Sequence, residues 1–192
     1  MKRLNKVGTQ NNGFTLIELL IVVVILGILA AVIVPQLSGS TDNAKLESLK
    51  TNLASIRSAI DLYKQDHGVY PGTNAATGAS CPNGGTPGTG AARTKEAFAS
   101  QLTMYTNAAG QACSTTDSTF KYGPYLKTTK TGTAGLPKNP ITGVNTVTFP
   151  TTSGDLSLTS SNSAGTGGWL YDEVTGKFIA DDNTGTPSYD SY

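Results

Sequence analysis

The chain has little of what most catalytic sites require. Its 192 residues include a single histidine, His67, and only two cysteines, Cys81 and Cys113. This leaves little choice of a general base and gives no CxxC or His-Cys grouping for zinc or redox chemistry. No serine lies in a nucleophile-elbow motif, and the glycine-rich residues 84–90 lack the Lys-Ser/Thr of a phosphate-binding loop. We therefore predict that the protein is not an enzyme, that His67 is a helix-end residue, and that residues 84–90 form a flexible, exposed loop.

Charge is nearly missing from one long apolar run. In residues 14–34, Glu18 is the only charged residue. At about 1.5 Å per residue, a helix of this length would cross a bilayer core of about 30 Å. A carboxylate at membrane depth is costly, so it usually marks function, although near the end of the run it would also suit a tolerated interfacial charge. Residues 14–35 are predicted to form a membrane-spanning helix.

The leader before this run indicates how the helix is oriented. Residues 1–13 carry Lys2, Arg3 and Lys6 and no acid, so the positive-inside rule keeps this end in the cytoplasm. The small residues of a signal-peptide cleavage site do not follow the run. The sequence therefore predicts one anchoring helix with its N-terminus inside the cell.

A basic leader ending in glycine, followed by FTLIEL at residues 14–19 and an apolar helix, resembles the type IV prepilin family. The resemblance extends from Gly13 to about Gln36, and the chain is most like the major pseudopilins of type II secretion or the major pilins of type IV pili. It implies that a prepilin peptidase removes residues 1–13 by cutting between Gly13 and Phe14. The same enzyme would methylate the new amino terminus at Phe14.

Two partners are open for Glu18 after such a cut. One is the amino group of Phe14 in the same helix, and the other is the amino terminus of a neighbouring subunit, as the resemblance implies. Opposite charges buried between subunits would fix the axial register, because a slipped register leaves each charge unpaired in an apolar core. We favour the intermolecular pair, which makes Glu18 the assembly residue.

Helical spacing continues beyond the apolar run. Pro35 is expected to kink the helix rather than end it, and Gly68 and Pro71 are expected to end it at about His67. Residues 36–72 are therefore predicted to be its amphipathic continuation. Their apolar side chains recur every three or four positions and form one stripe. A coiled-coil seam has the same spacing, but this stripe covers barely three heptads, which favours packing on the protein's own sheet. The side chains of the stripe are Leu46, Leu49, Leu53, Ile56, Ile60 and Tyr63.

Residues 73–192 are rich in Gly, Thr and Ser and are predicted to form a globular head. Phe98, Leu102 and Tyr105 indicate a helix within residues 94–107. Residues 144–149 and 156–158 are predicted strands, and residues 169–171 and 177–180 a C-terminal β-hairpin around a loop at 172–176. The predicted fold class is α+β, with a long N-terminal helix, half membrane and half amphipathic, packed on a small antiparallel sheet as in the pilin fold.

Features of the head point to different members of this family. In an oxidising compartment, Cys81 and Cys113 are expected to form a disulfide, which is commoner in type IV pilins than in major pseudopilins. Residues 63–71, 123–127 and 136–140 resemble segments of major pseudopilins instead, and residues 169–180 are similar to the C-terminal strands of some of them. Those proteins also carry a calcium site in an acidic C-terminal loop. Its pattern is not matched here, and a solvated turn explains the candidate ligands equally well. These candidates are Asp172, Glu173, Asp181 and Asp182.

A region rich in lysine precedes the acidic C-terminal part of the chain. No acid lies between Asp117 and Asp155, and the two regions either face each other between neighbouring heads or are both solvated. The lysines are sparse for binding nucleic acid. They are Lys121, Lys127, Lys130 and Lys138.

The predicted function is that of a structural subunit that polymerises into a type IV pilus-like filament, with the pseudopilus of a type II secretion system favoured. The alternatives are a major pilin acting in adhesion, motility or DNA uptake, and a membrane-anchored binding module that never polymerises. The resemblance implies as partners further copies of the chain, the prepilin peptidase, an inner-membrane platform, a cytoplasmic assembly ATPase, minor pilins, and membrane lipid before assembly. It implies the bacterial inner membrane and then an extracytoplasmic filament as locations.

Overall fold

The computed structural model describes residues 14–127, 135–159, 167–182 and 188–192, with the helical backbone alone for residues 32–40. The chain divides into two compact units, Met1–Ala44 and Lys45–Tyr192. The leader predicted at residues 1–13, including Gly13, lies outside the described residues.

The first helix, α1, is long and runs through Leu16–His67. Its end at His67 confirms the prediction. Gly68 follows with φ of 73°, and its N–H donates to the Lys64 carbonyl at 2.9 Å. Glycine suits this position because it adopts a left-handed conformation without steric cost. The kink predicted at Pro35 depends on residues whose side chains are not described, so it stays a prediction.

The second half of α1 is the wall of the hydrophobic core. Leu49, Leu53, Ile56, Ile60 and Tyr63 are each at most 1% exposed, and Leu46 is partly buried against the same cluster. The side chains that share this cluster with them are distant from α1 in the sequence. They include Phe98, Leu102, Val147, Trp169, Tyr171 and Phe178. The predicted packing of this stripe on the protein's own head is confirmed.

The predicted helix at residues 94–107 exists but is shorter. Helix α2 is Lys95–Thr103, and the Thr94 hydroxyl caps it by accepting the Ala97 N–H at 3.2 Å. The prediction was wrong for Tyr105, which lies in strand β1, Tyr105–Thr106. Backbone pairing of Thr106 with Tyr122 at 2.9 and 3.2 Å replaces the helical hydrogen bonds here. Strand β2, Ala112–Cys113, pairs antiparallel with β1, and both strands were missing from the prediction.

Three further strands form the second sheet, in the order β3-β4-β5. Strand β3 is Val147–Thr148, β4 is Trp169–Tyr171 and β5 is Phe178–Ala180. The predicted hairpin is confirmed, with Leu170 opposite Ile179 in an antiparallel pair. However, β3 runs parallel to β4, so the sheet is mixed rather than purely antiparallel. Two parallel strands are joined by a crossover connection and not by a hairpin turn. The turn residues that indicate a hairpin in a sequence therefore do not indicate this pairing.

The strand predicted at residues 156–158 is wrong. One oxygen of the Asp155 carboxylate accepts hydrogen bonds from both the N–H and the hydroxyl of Ser157, at 2.8 and 2.6 Å. Aspartate commonly holds its own backbone in a turn in this way. The same hydrogen bonds hold the pKa of the Asp155 carboxyl below its usual value. Leu156 therefore lies in a turn and is 81% exposed.

Among the helices of the described residues, none is long and apolar enough to span a bilayer. The span predicted at residues 14–35 ends among residues whose side chains are not described, and it stays a prediction.

The buried stripe of α1 gives a direct test of the core. Replacing Ile56, which is fully buried, by Ala should lower the free energy of unfolding by about 2–5 kcal/mol, because the neighbours cannot fill the cavity completely. The matched control is Ser55→Ala at the adjacent, exposed position, which should change it by less than about 0.5 kcal/mol. Denaturant unfolding followed by circular dichroism measures both. Equal effects of the two changes would contradict this placement of the helix face.

Candidate functional site

The first turn of α1 binds the one charged side chain of the apolar run. The Thr15 N–H and the Thr15 hydroxyl each donate to Oε2 of Glu18 at 2.8 Å. In return, the Glu18 N–H donates to the Thr15 hydroxyl at 3.3 Å. This reciprocal arrangement is a capping box, which satisfies backbone donors that a helix start would otherwise leave unpaired.

The capping box was present in the sequence as Thr15-x-x-Glu18 and was missed by the prediction, which considered only cationic partners for Glu18. The structure adds a local partner: Thr15 holds the carboxylate close to the helix N-terminus, where the backbone dipole also favours negative charge. Glu18 is thus held at the helix start that follows Phe14, the residue at which the predicted cleavage would create an amino group.

The rest of this segment exposes apolar side chains around the helix. Phe14 is 88% exposed, Leu16 84% and Leu29 51%, and the large apolar residues between Leu16 and Leu29 are all at least half exposed. Continuous apolar surface of this extent marks a site of contact with a membrane or another protein. Contacts within this unit of the chain leave this surface uncovered.

The two cysteines order the glycine-rich part of the head. Cys81 and Cys113 form a disulfide with an S–S distance of 2.07 Å, as predicted. It joins the segment before the glycine-rich residues to β2. The Gly88 N–H also donates to the Ala112 carbonyl at 2.8 Å, and Gly88 is buried. The prediction of a flexible, exposed loop at residues 84–90 is therefore wrong for Gly88, because pairing with β2 orders it.

Two of the acidic residues predicted as calcium ligands, Asp172 and Asp181, accept hydrogen bonds from other groups of the protein. The Asp172 carboxylate accepts the Gly154 N–H at 2.6 Å and the Val174 N–H at 2.9 Å. The Thr148 hydroxyl donates to Asp181 at 3.2 Å. Within the described ranges, no three His, Cys, Asp or Glu side chains come together in a way that could hold a metal ion. The structure thus does not assemble Asp172, Glu173, Asp181 and Asp182 into the predicted kind of site.

The cation that contacts Glu173 is the side chain of Arg93. Nε of Arg93 lies 2.7 Å from Oε1 of Glu173, and the Ser153 hydroxyl donates to the same oxygen at 2.9 Å. The Glu173 side chain is 7% exposed, whereas that of Arg93 is 48% exposed. Arg93 was not predicted to have a role, and nothing in its local sequence indicates this contact.

His67 lies at the end of α1, as predicted, and links it to β1. Its ring stacks on that of Tyr63 with centroids 4.0 Å apart. Nδ1 is 3.1 Å from the Tyr63 carbonyl oxygen, and Nε2 is 3.1 Å from both the Asn107 carbonyl oxygen and the Thr106 hydroxyl. Burial raises the pKa of the Tyr63 phenol above its usual range, so this ring stays neutral. These contacts give His67 a structural role in joining helix and sheet.

The lysine-rich region is only partly described. Lys121, Lys127 and Lys138 are exposed, and Nζ of Lys121 lies 5.2 Å from the centre of the Tyr122 ring. Lys130 lies outside the described residues. The prediction that this region faces acidic residues of a neighbouring head stays a prediction.

Comparison with known proteins finds similarity over part of the chain. Residues 9–34 match the prokaryotic N-terminal methylation motif. The chain is similar to the type II secretion system core protein G of Pseudomonas aeruginosa, with 52% identity over 64 residues, covering 33% of this chain and 45% of that protein. The protein of the same name from Vibrio cholerae is 43% identical over 74 residues, covering 38% of this chain and 48% of that protein. For Dickeya chrysanthemi the identity is 37% over 78 residues, with 41% and 51% covered.

These matches confirm the resemblance to the prepilin family seen in the N-terminal sequence. The chain spans about half the length of the curated relatives it matches. No solved structure matches it. The matched family motif lies in residues 9–34, and the similarity to these relatives covers 33–41% of this chain.

The capping box predicts a specific effect of the Thr15 hydroxyl. Thr15→Val keeps the shape of the side chain but removes the hydroxyl, and should destabilise the first turn of α1 by about 0.5–2 kcal/mol. Hydrogen exchange of the amides of residues 16–19, measured on the full chain in detergent, should become faster. Thr15→Ser keeps the hydroxyl and serves as the control, with exchange close to that of the unchanged chain. Identical exchange in Thr15→Val and Thr15→Ser would contradict the capping role.

Proposed function

We propose that this protein is a structural subunit that polymerises into a type IV pilus-like filament, and that this filament is the pseudopilus of a type II secretion system. The observation that carries the proposal is the N-terminal segment of α1. It combines a methylation motif, an exposed apolar surface and one carboxylate held at the first turn. Its similarity to proteins named type II secretion system core protein G supports the choice of filament.

Processing comes first in this proposal. The prepilin peptidase cuts between Gly13 and Phe14 and methylates the new amino terminus. The match of residues 9–34 to the methylation motif supports this step. The cut creates a positive charge at Phe14, close to the helix start at which Thr15 holds Glu18.

Assembly follows from the position of these two charges. In a bundle of apolar helices, an unpaired carboxylate is costly, and an amino group from a neighbouring copy removes that cost at one axial register only. The hydrogen bonds from Thr15 keep Glu18 at the helix start, where such an amino group would reach it. The amino group of Phe14 in the same chain is the alternative partner, and we favour the neighbouring copy.

The remaining partners belong to the same proposal. Before assembly the apolar segment lies in the lipid of the inner membrane, with the N-terminus in the cytoplasm and the head outside. A platform protein, a cytoplasmic ATPase and minor pilins act with it in building the filament. The exposed apolar side chains of α1 support both situations, since either lipid or neighbouring helices would cover them.

A second candidate is the major pilin of a surface pilus, which the disulfide between Cys81 and Cys113 favours. The two candidates differ in what the cell loses when the gene is deleted. Loss of proteins from the culture medium, with surface pili unchanged, supports the pseudopilus. Loss of surface pili with secretion unchanged supports the pilus.

Glu18 provides the main test of polymerisation. Glu18→Ala should abolish filaments while the leader is still removed, because the substitution takes away the charge that fixes the register. Sheared filaments are counted by electron microscopy, and leader removal and methylation of Phe14 are followed by mass spectrometry.

The matched control is Glu47→Ala, which removes an exposed carboxylate from the same helix and should leave filaments unchanged. A processed Glu18→Ala chain that still forms filaments at the normal level would refute the proposed assembly contact. If the unchanged chain were processed but formed no filaments, the third possibility, a membrane-anchored binding module, would be favoured.

A further inference from the structure

Arg93 has an unusual backbone conformation for a residue with a side chain. Its φ is 59°, in the left-handed region that mainly glycine adopts, and its N–H donates to the Gly72 carbonyl at 2.8 Å. Such a conformation costs energy and persists where the surrounding contacts impose it.

One edge of the Arg93 guanidinium binds three oxygen atoms. Nε lies 2.7 Å from Oε1 of Glu173, and Nη2 donates to the Ser153 hydroxyl at 2.7 Å and to the Pro150 carbonyl at 3.1 Å. Pro150 and Ser153 follow β3, whereas Glu173 lies in the turn between β4 and β5. Arg93 thus connects the segment that follows β3 to the turn of the β4-β5 hairpin.

Carboxylate, carbonyl and hydroxyl oxygens are also the ligands that calcium prefers. A calcium ion on Glu173 would stand next to the fixed positive charge of Arg93, and the two cations would repel each other. Both oxygens of the neighbouring Asp172 already accept backbone N–H groups. The residues present therefore do not fit the calcium site that the family resemblance implied.

We propose that Arg93 is the cation bound by these oxygen atoms of Pro150, Ser153 and Glu173. It holds the segment after β3 against the hairpin turn without calcium. A carboxylate as buried as that of Glu173 requires a cation, and Arg93 supplies one from within the chain. Oε2 of Glu173 is buried without a hydrogen-bond partner in the described part of the chain. The contact of Arg93 at Oε1 is therefore needed to offset the cost of burying this carboxylate. This inference is independent of whether the protein forms a filament.

The first measurement needs no variant. The full chain in detergent is unfolded thermally with millimolar calcium and with a chelator. Calcium at 100 times its Kd would raise Tm by roughly 5–10 °C, whereas we expect a difference of less than about 1 °C. A rise of several degrees in the unchanged protein would overturn the proposal.

The second measurement removes the charge from Arg93. Arg93→Gln keeps an unbranched side chain and the same backbone cost, and should lower Tm by at least about 5 °C. The control, Lys95→Gln, removes a half-exposed cation two positions away and should leave Tm within about 1 °C. In the double variant with Glu173→Gln, the effect of Arg93→Gln should be smaller than in the unchanged background. Equal Tm values for the Arg93 and Lys95 variants would overturn the proposal.

Discussion

Burial of one stripe of α1 is the interaction on which the rest of the head depends. Each fully buried large aliphatic side chain stabilises the fold by about 1.5–3 kcal/mol. The stripe contacts α2 and the β3-β4-β5 sheet in one continuous cluster. Because these partners come from distant parts of the sequence, α1 is the element that brings them together.

The two units of the chain treat apolar surface in opposite ways. The head buries the apolar stripe of α1 within itself, whereas the N-terminal unit leaves the large apolar side chains of its described residues, from Phe14 to Leu29, exposed. Exposed apolar surface is unfavourable in water, so the N-terminal unit requires lipid or other helices around it. The apolar surface of this segment is therefore available to lipid or to other helices, whereas that of the head is not.

Two carboxylates are held by donors of the protein in different ways. Glu18 is held by the backbone and hydroxyl of Thr15 at a helix start, and Glu173 by the guanidinium of Arg93. The first arrangement uses neutral donors, so a cation from another chain can still approach. The second is completed by a cation within the same head.

The sequence by itself determined the methylation motif, the end of α1, its buried stripe and the C-terminal hairpin. These features depend on helical periodicity, turn residues and motifs that are local in the chain. Only the tertiary structure decided the parallel pairing of β3 with β4 and the contact of Arg93 with Glu173. The physical reason is that the strand pairing and the ion pair join residues far apart in the chain. The energies of both depend on burial and geometry that exist only after folding.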